Sequence, residues 1–289
     1  MESAAPARSQ PAQLQAAQSQ PALSRRHEAG AGSARGMLFT LLGEFVLPGE
    51  GAAWTSAVLA TFERMGVAEK ATRQALMRTS NAGWLKPDKV GRRTRWQLTP
   101  AARRLLTDGA ERIYSFGPAH DWDGTWVLVQ VRIPDSDRRA RHEVRTRLAW
   151  AGYGSLGPGL WISPHAARER EAVRALTEAG VADDAHVFTA RRTGLSDARA
   201  MVAAAWDLPA VGAEYDLFLA EFRDPAPPDV LARQLELVHA WRRFPSLDPS
   251  LPPELLPDQW SGTAAARLFA ERHGQWADGS RREWKRLNA

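Results

Sequence analysis

The sequence predicts an α+β protein built as an N-terminal winged helix-turn-helix, a central ferredoxin-like βαββαβ domain and a mostly α-helical C-terminal domain. Three observations predict it. Beyond residue 33, apolar residues recur at helical spacing through three successive segments and then give way to two short strand-like runs around a basic turn. From Trp126 the signals follow the order strand, helix, strand, strand, helix, strand, and beyond Ser196 only helical patterns recur. The 289 residues, 44% hydrophobic and 25% charged, have ordinary globular composition and length for about two domains at roughly 100–200 residues each. The boundaries read from these shifts are a tail at 1–33, a first domain at 34–118, a central domain at 119–193 and a C-terminal domain at 194–289.

Of the first 33 residues, 24 are Ala, Gln, Ser, Pro or Gly, a composition that cannot offset its ordering entropy by burial, so a disordered tail is expected. Leu38, Leu41, Leu42 and Phe45 then mark a helix closed by Pro48-Gly49. A second helix is expected from Trp54 to Met65, with Trp54, Val58, Phe62 and Met65 on one side and Gly66 as its stop. The third, about Ala68 to Ala82, turns Thr72, Ala75, Leu76 and Thr79 inward and ends at Gly83. Trp84-Leu85 and Thr94 to Leu98 read as strands flanking a basic tip, with Trp84 and Trp96 packing beneath it. Thr99-Pro100 supplies an N-cap and first helical residue for the helix that follows.

In the second unit, Trp126 to Ile133, Tyr153 to Leu156, Leu160 to Ser163 and His186 to Ala190 read as strands. Asp137 to Trp150 and Ala166 to Ala179 read as helices. The last third suggests helices at Met201 to Trp206, Tyr215 to Phe222 and Leu231 to Phe244. A further helix carries Ala265, Leu268, Phe269 and Trp276, and Ser280-Arg-Arg-Glu283 suggests a capping box for a short final one.

Charge is concentrated. The segment from Arg64 to Arg104 holds eleven basic and two acidic residues, a net of +9 in a chain whose total is +5, so the other residues sum to −4. Such a patch attracts phosphates. On the third helix Lys70, Arg73, Gln74 and Arg78 fall off the inner stripe, where Arg and Gln can pair with guanine and adenine edges. On the hairpin Arg92, Arg93 and Arg95 would meet phosphates or a minor groove. These seven residues are the candidate contacts to double-stranded DNA.

Other chemistries find little support. The chain has no cysteine, which excludes disulfides and thiolate chemistry and fits a reducing, cytoplasmic setting. Its seven histidines are scattered singly, so no metal and no cofactor is expected. No apolar run is long enough to span a membrane. Gly152 to Gly157 matches G-x-G-x-x-G but follows a helix and leads into strands, the reverse of a dinucleotide fingerprint. Asp135 and Asp137 stand after the first central strand, where a nuclease could hold a metal, yet turn and N-cap roles suit them better. Arg138, Arg139, Arg141, Arg145 and Arg147 suit either a phosphorylated ligand or a solvated helix face.

Several stretches in order resemble one family. They are Leu41-Leu-Gly-Glu-Phe45, Val67 to Leu85, Gly91-Arg-Arg-Thr-Arg-Trp96, Trp122-Asp-Gly-Thr-Trp126, Trp150-Ala-Gly-Tyr-Gly154 and Gly159-Leu-Trp-Ile-Ser-Pro164. Trp206-Asp-Leu208, Asp248-Pro-Ser-Leu-Pro252 and Leu255-Leu-Pro257 complete the set. Together they resemble the PaaX-type transcriptional repressors of phenylacetate catabolism. The resemblance implies a winged first domain and a central domain similar to the CRISPR spacer-acquisition endonucleases. It also implies a homodimeric, non-enzymatic repressor that leaves its operator when an acyl-CoA, phenylacetyl-CoA above all, binds. It places Arg73, Gln74, Arg92 and Arg93 at DNA-facing positions and no residue at the effector site. Ala68, where relatives often carry a capping Ser or Thr, and Thr72, in place of a more usual Val, depart from the pattern. A metal-dependent nuclease and a DNA-tethered protein platform without an effector are the alternatives.

Overall fold

A computed structural model describes residues 33–49, 51–117, 122–194 and 197–289. The tail expected over 1–33 therefore lies outside the described residues except for Ser33. The fold is α+β.

Helix α1 (Ala34–Leu41) starts where the Ser33 hydroxyl accepts from the Gly36 N–H at 3.1 Å. It runs into a π-helical turn, Leu42–Val46, that keeps Leu42, Phe45 and Val46 on the buried side. Strand β1 (Ala52–Trp54) precedes α2 (Thr55–Arg64) and α3 (Glu69–Asn81), and β2 (Leu85–Val90) and β3 (Arg93–Leu98) form an antiparallel hairpin. Trp54, expected inside a helix, ends a strand instead: β1 pairs with β3, Ala53 opposite Trp96. The hairpin turn is Gly91-Arg92, with Gly91 at φ +60°, a conformation that favours glycine. Helix α4 (Pro100–Tyr114), capped by the Thr99 hydroxyl, leads out of this module.

The central sheet holds β4 (Thr125–Val131), β5 (Gly154–Gly157), β6 (Leu160–Ser163) and β7 (Ala185–Arg191) in the order β5-β6-β4-β7, every pair antiparallel. Alternation sorts β4 between two cores. Val127, Val129 and Val131 pack with Ala140, Val144 and Leu148 of α5 (Arg138–Trp150) and Ala172, Ala175 and Leu176 of α6 (Glu169–Glu178). Trp126 and Leu128 face the other way, into a cluster with Ile162 and with Val202, Leu208, Leu251 and Leu255 from the C-terminal third. Both faces of β4 are therefore covered, whereas Phe188 on the edge strand β7 stays 53% exposed. Gly154 is flush with this second layer, since a Cβ there would lie 2.5 Å from the Trp206 ring and 2.7 Å from the Ala205 Cβ.

The C-terminal third contains α7 (Ala198–Ala205), α8 (Leu208–Glu221), α9 (Val230–Trp241), the short α10 (Phe244–Leu247) and α11 (Ser261–Leu287). Its core is aromatic: Tyr215 stacks on Phe244 at 4.1 Å and Trp241 on Phe269 at 4.6 Å between centroids. The capping box expected at Ser280 does not form. Helix α11 runs unbroken for 27 residues, and Ser280 is buried inside it with its hydroxyl on the Ala277 carbonyl at 3.0 Å. Its far end returns to the first module, where Leu231, Leu235 and Trp284 share a core with Leu38, Phe45 and Phe62. Asn288 ties off β1, accepting from the Trp54 N–H at 2.8 Å and donating to the Ala52 carbonyl at 3.2 Å. No helix among the described residues is long and apolar enough to cross a membrane.

Candidate nucleic-acid interface

Helix α3 buries one stripe and presents the opposite face whole. Thr72, Ala75, Leu76 and Thr79 are buried, while Lys70, Arg73, Gln74, Met77, Arg78 and Asn81 are exposed along a shallow open groove with Glu69 at its N-terminal end. The spacing of three and four residues puts these side chains on one helix face. Lys70, Gln74 and Arg78 make no ion pair or side-chain hydrogen bond with another described residue. Arg73 is engaged, its Nε donating to Glu69 at 2.7 Å across one helical turn on the exposed face. With Ala68 offering no cap, the Thr72 hydroxyl instead donates to the Ala68 carbonyl at 3.3 Å.

The three hairpin arginines are placed differently from one another. Arg92 occupies the turn and is exposed. Arg93 lies over the Trp54 ring, its guanidinium carbon 4.0 Å from the centroid, and donates to the Ala289 carbonyl oxygen at 3.1 Å. Arg95 is half-buried and pairs at 2.8 Å with Asp88, directly opposite on β2. The structure thus gathers the four helix residues and Arg92 on open surface and gives Arg93 and Arg95 internal partners as well. Trp84 and Trp96 sit in the core beneath: Trp96 is buried with its Nε1 donating to Thr55 at 2.9 Å, and Trp84 meets Phe39 edge-on. Met77, 52% exposed in the middle of the polar face, escaped sequence reasoning, which assigns an apolar residue to the core unless its helical phase is followed strictly. Asn81 escaped it by lying at the helix end.

A half-buried polar cluster joins this module to the C-terminal helices. Glu44, within the π-helical turn, accepts from Gln234 at 2.8 Å, contacts His273 Nε2 at 3.0 Å and accepts from the Tyr114 hydroxyl. Burial alone would raise its pKa, but His273, Tyr114 and Gln234 outweigh it and hold the carboxyl below its usual value. The same burial and the Glu44 charge push the Tyr114 hydroxyl up.

The carboxylates weighed for metal binding have local duties. Asp135 pairs with Arg141 at 3.0 Å on open surface, and Asp137 caps α5 through the Ala140 N–H at 2.9 Å. Among the described residues no three His, Asp or Glu side chains cluster as a metal site would require.

An exposed basic helix face beside a hairpin, carried on a larger α+β body, is the build of a nucleic-acid-binding regulator. Comparison with known proteins supplies the family. Residues 33–102 match the model of the PaaX-like protein, 119–202 that of the PaaX protein central Cas2-like domain, and 206–286 that of the PaaX-like protein C-terminal domain. The chain is 34% identical over 251 residues to the transcriptional repressor PaaX of Escherichia coli (strain K12), covering 82% of this chain and 78% of that one. The chain belongs to the PaaX family. Its fold is similar to that of the uncharacterized protein Rv0674 from Mycobacterium tuberculosis, with a TM-score of 0.61, 20% identity and coverage of 89% of this chain and 99% of that one. Kinship with a transcriptional repressor supports a non-enzymatic role.

Proposed function

We propose that this protein is a transcriptional repressor of phenylacetate or related aromatic-acid catabolism genes that binds operator DNA as a homodimer and is released by an acyl-CoA such as phenylacetyl-CoA. In this reading residues 34–118 are a winged helix-turn-helix, with α3 in the major groove and the β2–β3 hairpin as the wing, and the central sheet is ferredoxin-like. The observation that carries it is the open face of α3, where Lys70, Arg73, Gln74 and Arg78 stand clear of the core on one side of the helix. Arg92 adds a phosphate contact from the wing, and Arg93 and Arg95 reach the backbone once their internal partners yield. A thioester that prefers an arrangement of the two modules unsuited to DNA lowers operator affinity by its differential binding, of order 1–3 kcal/mol of coupling.

The test is a gel shift at fixed salt with DNA from upstream of the protein's own gene. A specific shift released by phenylacetyl-CoA, but by neither phenylacetate nor free CoA, is the expected result. A specific shift indifferent to the thioester removes the effector and keeps the repressor. Absence of any specific shift sinks the reading.

A further inference from the structure

The central sheet ends differently at its two edges. Strand β5 is only four residues long and its pairing shifts register between Ser155 and Gly157, an irregularity of the kind that discourages a further strand. Strand β7 runs for seven residues in unbroken register with β4 and contains no Pro, no Lys and no bulge. It is last in the sheet order, so among the described residues no strand pairs with its outer side. The ladder fixes which backbone groups face outward. The Val131 N–H donates to the Gly159 carbonyl on the β6 side at 2.8 Å, and the Arg132 N–H donates to the Asp184 carbonyl on the β7 side at 2.9 Å. Antiparallel bonding alternates, so the even-numbered residues of β7 bond β4, while Ala185, Val187, Thr189 and Arg191 turn their N–H and C=O groups to the open edge. Midway along it stands the exposed ring of Phe188, opposite Leu128, with exposed His186 beside it at 6.1 Å between centroids.

This strand is complementary to itself. Two copies of β7 aligned antiparallel about a two-fold axis at Phe188 match outward-facing residues with outward-facing residues, Val187 with Thr189 and Ala185 with Arg191. The two Phe188 rings then fall opposite each other at a non-hydrogen-bonded position, where cross-strand side chains come closest. Charge selects the same direction. Exposed Asp183 and Asp184 precede the strand and exposed Arg191 and Arg192 close it, so Arg192 of one copy meets Asp184 of the other, whereas parallel pairing would set like charge against like. We infer that β7 is the dimer edge, to which a second copy of this chain adds its own β7 antiparallel, joining the two four-stranded sheets into one. The inference rests on the homodimer of the reading above and names the surface that makes it. None of the seven candidate DNA contacts lies on β7, so pairing there leaves the α3 face of each copy to an operator half-site.

The experiment is sedimentation equilibrium of the full chain, wild type and Thr189→Pro, with a thermal melt of each. Thr189 is exposed and its N–H faces the open edge, so proline there removes a bond of the dimer ladder and spares the bonds to β4. The wild type is expected to be dimeric, and Thr189→Pro to raise the dissociation constant by about tenfold or more with melting unchanged. Because the chain has no cysteine, Phe188→Cys introduces a single thiol. Facing Cα atoms at a non-hydrogen-bonded position stand about 4.5 Å apart, within disulfide reach. Mild oxidation is expected to convert Phe188→Cys to a covalent dimer and to leave Leu217→Cys, at a still more exposed residue, largely uncoupled. An undiminished dimer in a stably folded Thr189→Pro, or a thiol at 188 that couples no faster than one at 217, overturns the edge while leaving the homodimer intact. A wild type that is monomeric at every concentration overturns both. If Thr189→Pro melts early, the two cysteine variants decide by themselves.

Discussion

Trp284, near the end of the last helix, lies against Phe45 of the first module with ring centroids 5.8 Å apart. It is 5% exposed and belongs to the same core as Leu38 and Phe62. The core of the first module is thus completed by a residue of α11. Trp284→Ala is expected to destabilise the protein by about 3–5 kcal/mol, the usual range for emptying a large aromatic site, and to lower the active fraction in operator binding. Urea denaturation followed by a DNA titration measures both, and a loss under about 1 kcal/mol would show that the first module holds without it.

The Arg73–Glu69 pair makes opposite predictions for its two members. Arg73→Ala should cost about 1–3 kcal/mol of operator affinity and relax the preference at one base position, if the side chain reads a guanine. Glu69→Ala should tighten binding, because it removes a negative charge beside the phosphates and releases Arg73 from its 2.7 Å contact. Quantitative footprinting on an operator library decides: a uniform loss across sequences for Arg73→Ala would assign that residue to the backbone.

Arg92, alone at the hairpin turn, is expected to act on phosphate. Its replacement by Ala should weaken all operator sequences about equally and reduce the slope of log affinity against log salt by about one. An altered base preference would place it in a groove instead.

Glu44 makes stability depend on acid. Its native pKa lies below the ordinary 4.5 because three donors outweigh burial. The stabilisation is therefore fully present above about pH 4.5 and is lost as pH falls through the lower native value. Glu44→Gln should remove that component, so that the variant loses less stability than the wild type between pH 7 and pH about 3.5 in denaturant titrations. Parallel curves would show that the cluster is not the acid-sensitive element.

Gly154→Ala should disrupt the layer between the central sheet and the C-terminal third, since the new Cβ would stand 2.5 Å from Trp206. A cost of about 1–3 kcal/mol is expected, as for other overpacked sites, and calorimetry would register it as a lowered Tm.

Local pattern carried much of this structure. The inner stripe of α3, the Thr99-Pro100 start of α4 and the alternating Val127, Val129 and Val131 are legible because one element's own periodicity specifies them. What partners decide was not legible. Ala52–Trp54 has no strand signature of its own and becomes a strand because β3 offers an edge. Helix α11 runs on through Gly279 and past the capping box expected at Ser280; at Gly279 a Cβ would meet the Val230 side chain at 3.3 Å, so the small residue serves close packing against α9. In the candidate interface the four residues of α3 follow from helical phase, whereas the engagement of Arg93 by Trp54 and of Arg95 by Asp88 depends on cross-strand neighbours that spacing along the chain does not reveal.

The clasp of Asn288 on Ala52 and Trp54 spans more than 230 positions of sequence. Synthesis proceeds from the N-terminus, so α1 to β3 emerge well before two of their supports, Trp284 and Asn288. A chain without α11 would carry every residue of the open α3 face and lack the side chains that hold β1. The stability of β1 is thereby set by residues from both ends of the described sequence.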